Sequence, residues 1–420
     1  MSASRRPQPA KSVRRRPKDR KVQIAKASSD AFSESGYHAV SMEEIASRVG
    51  ISAPALYRHS ASKYDLFRDA VLGLGHCLVD ATDPLHEADA DPRETLRALM
   101  DGLIETTIAH RTAGGLFRWE ARYLKDEDQV ELANQIKLVN RRIQKPLESI
   151  RPALTSHERW TLSSAALSVI GSITDHRAAL PIPEIRTVLA ELAEAVLYAE
   201  LPTPPPHHKI LPSAPPVTVD AGPYEMLLHE SMRLFNVNGY RETSMEDIAT
   251  AIGIPVSGIY RYFPSKADML AASFRRAADR ISGDVSRALF ETTVPEAALE
   301  RLVAGYVARS FERPELGYVY YTERINLPAA DQAILHHVQR STVESWTKLL
   351  LSARPEISPG HARFAVHAGF TLVVDLGRLV QYDNTEHAQA SVRCLMEAAL
   401  LGRPIPVSSD ERPAGAQSPT

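Results

Sequence analysis

EEIASRVGISAPALYRH, residues 43–59, and EDIATAIGIPVSGIYRY, residues 246–262, are one phrase written twice, 203 positions apart. Identities include Glu43/Glu246, Ile45/Ile248, Ala46/Ala249, Gly50/Gly253, Ile51/Ile254, Tyr57/Tyr260 and Arg58/Arg261. The same offset pairs LRALMDGL from Leu96 with LERLVAGY from Leu299. It also pairs FRWEARYL from Phe117 with YYTERINL from Tyr320, sharing Glu120/Glu323 and Leu124/Leu327. Arg151-Pro152 meets Arg354-Pro355; beyond them HERW from His157 meets HARF from His361 at an offset of 204, so one inserted residue is expected there. So many matches in one register predict a duplicated unit.

One copy contains the signals of a compact helical unit. A helical stretch ends near Gly36, suited to a left-handed terminus. Ser41 stands as an N-cap with Glu44 three residues on, a capping box opening a second helix. Gly50 permits a tight turn. Ser52 is expected to cap a third helix, with Pro54 in its first turn, where a missing N–H is harmless. Ser62 with Asp65 opens a fourth. The second copy repeats the plan with Gly239, Ser244 and Asp247, Gly253, and Ser265 and Asp268. Two short helices joined by a glycine-containing turn form a helix-turn-helix, whose second helix fits a DNA major groove. Ile45, Ala46, Ile51 and Leu56 have the spacing of its core. Lys63 begins the fourth helix against the helix dipole, and the choice recurs at Lys266; a DNA phosphate is the expected reason.

These residues resemble a known family. Residues 36–66 and 239–269 look like the DNA-binding segment of TetR-type bacterial transcriptional repressors: a capped helix, Ile-Ala, Gly-Ile, Tyr-Arg-His/Tyr and Ser-Lys-x-Asp. The resemblance implies a helix-turn-helix domain, a larger helical ligand-binding domain, dimerisation through the last two helices and DNA release by a small molecule. It places Ala53, Pro54, Ala55 and Tyr57 at base edges, beside the cap Ser52, and Ser41, Arg58, His59 and Lys63 on phosphates. The second-copy counterparts are Val256, Ser257, Gly258 and Tyr260, with Ser244, Arg261, Tyr262 and Lys266. Ser60-Ala61 departs from the family's Phe, which Phe263-Pro264 keeps, and Pro255 replaces the cap Ser52. A looser helix junction in the first copy and a different cap in the second are expected. VRRRPKDRK, from Val13, is similar to the opening of actinobacterial tandem regulators of lipid- or steroid-uptake and catabolic operons.

The 420-residue chain has an ordinary globular composition, 44% hydrophobic and 24% charged, and is long enough for several domains. Cys77 and Cys394 alone give no disulfide framework or metal cluster. There is no signal-peptide core and no membrane-length apolar run, so a cytoplasmic protein is expected. The net charge of −2 hides a basic start: residues 1–21 hold nine Lys and Arg against Asp19 alone. Arg14, Arg15 and Arg16 of this arm are expected on phosphates or in a minor groove. LPTPPPHHKILPSAPPVTVDAGP, residues 201–223, has eight prolines and reads as an extended spacer.

The expected fold is all-α: arm 1–20, helix-turn-helix domain 21–72, helical ligand-binding-like domain 73–200, linker 201–223, second helix-turn-helix domain 224–274, second helical domain 275–403 and tail 404–420. Leu103, Thr107, Phe117, Trp119 and Tyr123 are candidate pocket residues in the first copy, and Tyr306, Phe311, Tyr320, Tyr321 and Phe370 in the second. The last two helices of each copy are apolar enough to pair as one internal four-helix bundle. No Gly-x-Ser-x-Gly, His-Glu-x-x-His or phosphate loop occurs, so no enzyme, cofactor or metal is expected. The expected partners are double-stranded operator DNA and a small apolar effector, with the chain a monomeric pseudo-dimer. Two rivals stand beside it: a ligand sensor without DNA binding, and a constitutive DNA-architectural protein.

Overall fold

The computed structural model describes residues 17–83, 91–204, 210–211 and 222–402. Arg14, Arg15, Arg16, the tail and most of the linker lie outside the described residues. In the first copy the helices are α1 (Pro17–Ala39), α2 (Met42–Val49), α3 (Ala53–Tyr57), α4 (Lys63–Thr82), α5 (Pro92–Ala109), α6 (Asp126–Ile150), α7 (Ser156–Gly171) and α8 (Ile182–Leu197). A π-helical turn, Leu116–Glu120, precedes α6. The second copy has α9 (Pro223–Asn238), α10 (Met245–Ile252), α11 (Val256–Ile259), α12 (Lys266–Glu291), α13 (Pro295–Glu312), α14 (Pro314–Glu323), α15 (Ala329–Ala353), α16 (Pro359–Leu379) and α17 (Glu386–Leu401). The fold is all-α, and the described residues contain no strand beyond one isolated bridge. That bridge joins linker residue Ile210 to Thr385, and Leu211 N donates to Asn384 O at 2.8 Å. The extended linker is therefore docked at this point. Helix α1 also begins inside the expected arm, at Pro17.

The structure corrects the expected insertion. Thr161, Leu162, Ser163, Ala165, Ala166, Ser168, Val169 and Ile170 are buried in α7, and every residue 203 positions on is buried in α16. In α8, Ile185, Leu189, Leu192, Ala193, Val196 and Leu197 match buried Ala388, Val392, Leu395, Met396, Ala399 and Leu400 at the same offset. No residue is inserted. The buried face sets the register, and the His157/His361 match is incidental: His157 is exposed and His361 is buried.

Two compact units are present. One comprises the chain up to Asp80 with His110–Lys137; the other comprises Ala81–Ala109 with the chain from Leu138. The first unit centres on Ile24, Phe32, Val40, Ile45, Ala46, Leu56, Leu66 and Phe67. Within the second, α7 and α8 pack on α16 and α17, so the last two helices of both copies share one interior. Ser168 Oγ donates to Asp375 at 2.6 Å, Thr371 Oγ1 donates to Asp175 at 3.3 Å, and the His176 and His367 rings stack 4.0 Å apart. The repeated Arg-Pro pairs explain themselves here. Arg151 donates to Leu197 O at 2.9 Å and Arg354 to Leu400 O at 3.2 Å. Each guanidinium satisfies orphan carbonyls at the negative end of its copy's last helix.

Candidate nucleic-acid interface

Each helix-turn-helix is built the same way. Ile45, Ala46 and Leu56 are buried in the first, with Ile51 partly buried against them; Ile248, Ala249 and Ile259 are buried in the second. Gly50 and Gly253, at φ 70° and 71°, take the left-handed conformation that ends α2 and α10. A side chain there costs about 1–2 kcal/mol in backbone strain. The caps differ in detail. Ser244 and Asp247 form a full capping box, whose hydrogen bonds hold the Asp247 carboxylate below its ordinary range. Ser41 accepts from Glu44 N at 3.1 Å, but the Glu44 carboxylate turns to Arg48 at 2.8 Å, so the expected box is half made. Ser52 holds the cap position of α3 without a side-chain bond, contrary to expectation. Pro54 offers no N–H, and Ala55 N already reaches Ser52 O at 2.9 Å. Pro255 can therefore stand in the equivalent place without loss.

The candidate base-reading side chains lie on one exposed ridge in each module. Tyr57 is 51% exposed and Tyr260 54%. Pro54, Arg58 and His59 are exposed, as are Ser257, Arg261 and Tyr262, while Ala53, Ala55, Val256 and Gly258 are half-buried at the foot of the ridge. Ser41 and Ser52 are exposed, and Ser244 is half-buried. Phe263 is buried and stacks on Tyr224 at 5.0 Å. Ser60, in the matching place, donates its hydroxyl to Ser62 O at 3.3 Å.

Lys63 and Lys266 have local partners. Lys63 Nζ donates to Tyr37 O at 3.0 Å and His38 O at 3.4 Å, and sits 4.6 Å from the centre of the Tyr37 ring. Lys266 Nζ donates to Tyr240 O at 2.7 Å, Arg241 O at 3.3 Å and Thr243 O at 2.6 Å, over the Tyr240 ring at 4.6 Å. An ammonium has three donors, and Lys266 uses all three on backbone. Burial, the largest influence, lowers the Lys266 pKa. The lysines anchor the turn before α2 and α10. Sequence reasoning missed the partner of this anchor. Glu120 accepts from Tyr37 N at 3.1 Å, and Glu323 from Tyr240 N at 3.3 Å, each just after a positive-φ glycine, Gly36 or Gly239. The signal was the Glu120/Glu323 identity in the 203-residue register.

The first-copy pocket candidates do not form one site within either unit. Leu103 and Thr107 are buried in α5, in the second unit. Phe117 and Tyr123 pack on the core of the first unit, where Tyr123 stacks on Tyr37 at 5.8 Å; Trp119 is buried there too. The second-copy candidates gather. Tyr306 lies 4.9 Å from Phe370 and 6.0 Å from Trp346, ring centre to ring centre, and Tyr320 lies 5.2 Å from Tyr321. Arg324 sits 5.4 Å from the Tyr320 ring and 5.9 Å from Tyr321. Phe311 is buried and packs on Tyr382 at 5.5 Å. Burial pushes the phenols of Tyr306, Tyr320 and Tyr321 above their ordinary range. Among the described residues, no group of His, Cys, Asp and Glu could hold a metal ion, and no helix is long and apolar enough to cross a membrane.

The sequence matches the profile of bacterial regulatory proteins of the tetR family twice, over residues 24–70 and 227–273. It is 33% identical over 125 residues to the HTH-type transcriptional activator FasR of Mycolicibacterium smegmatis, covering 30% of this chain and 55% of that protein. It is 31% identical over 128 residues to the HTH-type transcriptional repressor LfrR of the same organism, covering 29% of this chain and 61% of that protein. The chain thus spans little more than half the length of these relatives. A solved structure of a ketosteroid transcriptional regulator from Mycobacterium tuberculosis is similar at 19% identity, covering 43% of this chain and 93% of that one, with a TM-score of 0.39. The chain thus carries, in tandem, two helix-turn-helix modules of the tetR family of bacterial regulatory proteins.

Proposed function

We propose that this chain is a DNA-binding transcriptional regulator that works as a single-chain pseudo-dimer on an operator with two unlike half-sites. The observation that carries this reading is the pair of exposed ridges, built on matching cores but bearing different side chains. Pro54 and His59 face solvent in one, Ser257 and Tyr262 in the other. A homodimer meets both half-sites with identical residues and so favours a palindrome. Here serine can hydrogen-bond to a base edge where proline cannot, while the tyrosines offer both halves the same apolar contact.

The packing of α7 and α8 against α16 and α17 supports a dimer-like assembly completed within one chain. One of the named relatives is an activator and the other a repressor, so the reading is regulation, with neither sign preferred. The aromatic cluster around Tyr306 supports control by a small apolar effector, and one of lipid or steroid origin fits that lining. Footprinting of the full chain on the DNA upstream of its own gene tests the proposal. An asymmetric protected site is expected; a perfect palindrome, or no protected site, rejects it.

A further inference from the structure

The 203-residue register lets the two effector domains be compared position by position. In the second copy Tyr306, Trp346 and Phe370 form one aromatic cluster. Their counterparts are Leu103, Ile143 and Leu167; Leu103 and Ile143 have no exposed surface at all. Tyr321, Arg324 and Gln339 correspond to Arg118, Ala121 and Ile136. At Leu103 and Ile143 the first copy is aliphatic and closed, where the second is aromatic; Leu167, Arg118 and Ala121 keep some exposure and Ile136 is exposed, so the first copy does not repeat the cluster.

Three observations give the second cluster the character of a binding site. Trp346 is only 1% exposed, yet its indole N–H finds no acceptor among the described residues. A buried donor without a partner is costly, and an indole can only donate. Tyr306, Tyr320, Tyr321, Arg324 and Phe370 each keep some accessible surface, although burial dominates the environment of all three phenols. That remaining surface is what a ligand could cover. Finally, Asp175 comes from the first copy: its carboxylate accepts from Thr371 at 3.3 Å and acts electrostatically on Tyr320, Tyr321 and Arg324. The polar end of the cluster therefore already contains one cation and one anion. A further buried charge there would compete with that pair, whereas a neutral acceptor satisfies the donors at no such cost.

We propose that the second copy alone holds the effector site, that it takes an apolar ligand with an uncharged carbonyl-type acceptor, and that Asp175 of the first copy forms part of its polar end. This rests on the reading of the chain as an effector-controlled regulator. Ligand entry is then sensed where the two copies meet, because Asp175 and Thr371 join α16 to the segment after α7.

The test uses the full chain labelled with 5-fluorotryptophan. It has three tryptophans: Trp119 and Trp160 in the first copy and Trp346 in the second, assigned by single Trp→Phe variants. The probes are 2-acetylnaphthalene and 2-naphthoate. The ketone should shift the Trp346 fluorine signal, saturate at one per chain and leave the other two unmoved. Naphthoate should bind at least tenfold more weakly. Tyr306→Leu, which installs the first copy's residue, should weaken the ketone at least tenfold. The isosteric Asp175→Asn should narrow or reverse the preference for ketone over carboxylate, an effect that lost packing alone would not produce. A silent Trp346, a second equivalent seen by Trp119 or Trp160, tighter naphthoate binding, or an unchanged preference in Asp175→Asn overturns the proposal. If Trp346 responds but the ketone leaves the operator complex unchanged, the site stands and effector control of DNA binding falls.

Discussion

Lys63 and Lys266 begin helices whose dipole opposes them, and the carbonyls of the preceding turn explain their presence. Lys266 gathers three such oxygens. Hydrogen bonds to charged groups contribute about 1.5–3 kcal/mol each when buried, and this ammonium is half-buried. Lys266→Met is therefore expected to destabilise the second module by about 2 kcal/mol, read as a lower denaturation midpoint, while the protein that remains folded keeps its DNA affinity. Unchanged stability with weakened, salt-sensitive binding would instead favour the phosphate role. The tyrosines should behave in the opposite way. Tyr57 and Tyr260 are half exposed and lie outside the buried cores, so Tyr57→Ala and Tyr260→Ala should leave stability unchanged. Each should cost about 1–3 kcal/mol of specific binding and erase protection over a different half of the footprint. Loss over the same half in both variants contradicts two unlike half-sites.

At the scale of elements, α16 buries most of its length and carries a titratable group at the contact between copies. His361 lies 3.4 Å from Glu191 of α8, with Arg354 and Glu356 nearby. Burial lowers its pKa more than Glu191 raises it. The native state thus binds this proton less readily than the unfolded chain. The stability from this site is complete above the ordinary histidine value of about 6.5 and falls as pH drops through it toward the lowered native value. Thermal unfolding followed from about pH 7.5 to about pH 5 should show wild type losing more stability than His361→Gln. Parallel curves would mean that Glu191 compensates fully.

For the whole molecule, α7, α8, α16 and α17 share one interior, and the proposed single-chain pseudo-dimer needs no second chain to complete it. Sedimentation at micromolar concentration should therefore find a monomer; an obligate dimer contradicts the single-chain reading. The basic arm before Pro17 belongs to the same scale. Deleting residues 1–16 removes most of the nine cations counted up to Lys21. Phosphate contacts release counterions without reading bases. Binding to all DNA should weaken and its salt dependence flatten, with the footprint unchanged. An unaltered salt slope would show that the arm is merely solvated.

The duplication, the all-helical class, the turn glycines and most cap positions follow from the sequence by itself, because each depends on signals a few residues apart or on a repeat that can be counted. The exposed ridge of each module was legible for the same reason: Tyr57 and Leu56 are neighbours in sequence, and helical geometry sends one outward and the other into the core. What the tertiary structure alone decided involves partners distant in the chain. Lys266 was read only as a phosphate contact until the carbonyls of residues 240, 241 and 243 were brought to it. Glu120 and Glu323 were visible only as a shared letter. Phe117 and Tyr123, aromatic and well spaced, could not be told from pocket residues until they were found on the first module's core. Asp175 carries no local signal that it faces the second copy's tyrosines, since what it meets is set by how α7 and α16 pack. Local periodicity specifies which face of a helix is buried; the neighbour against which that face is buried depends on packing between segments hundreds of residues apart.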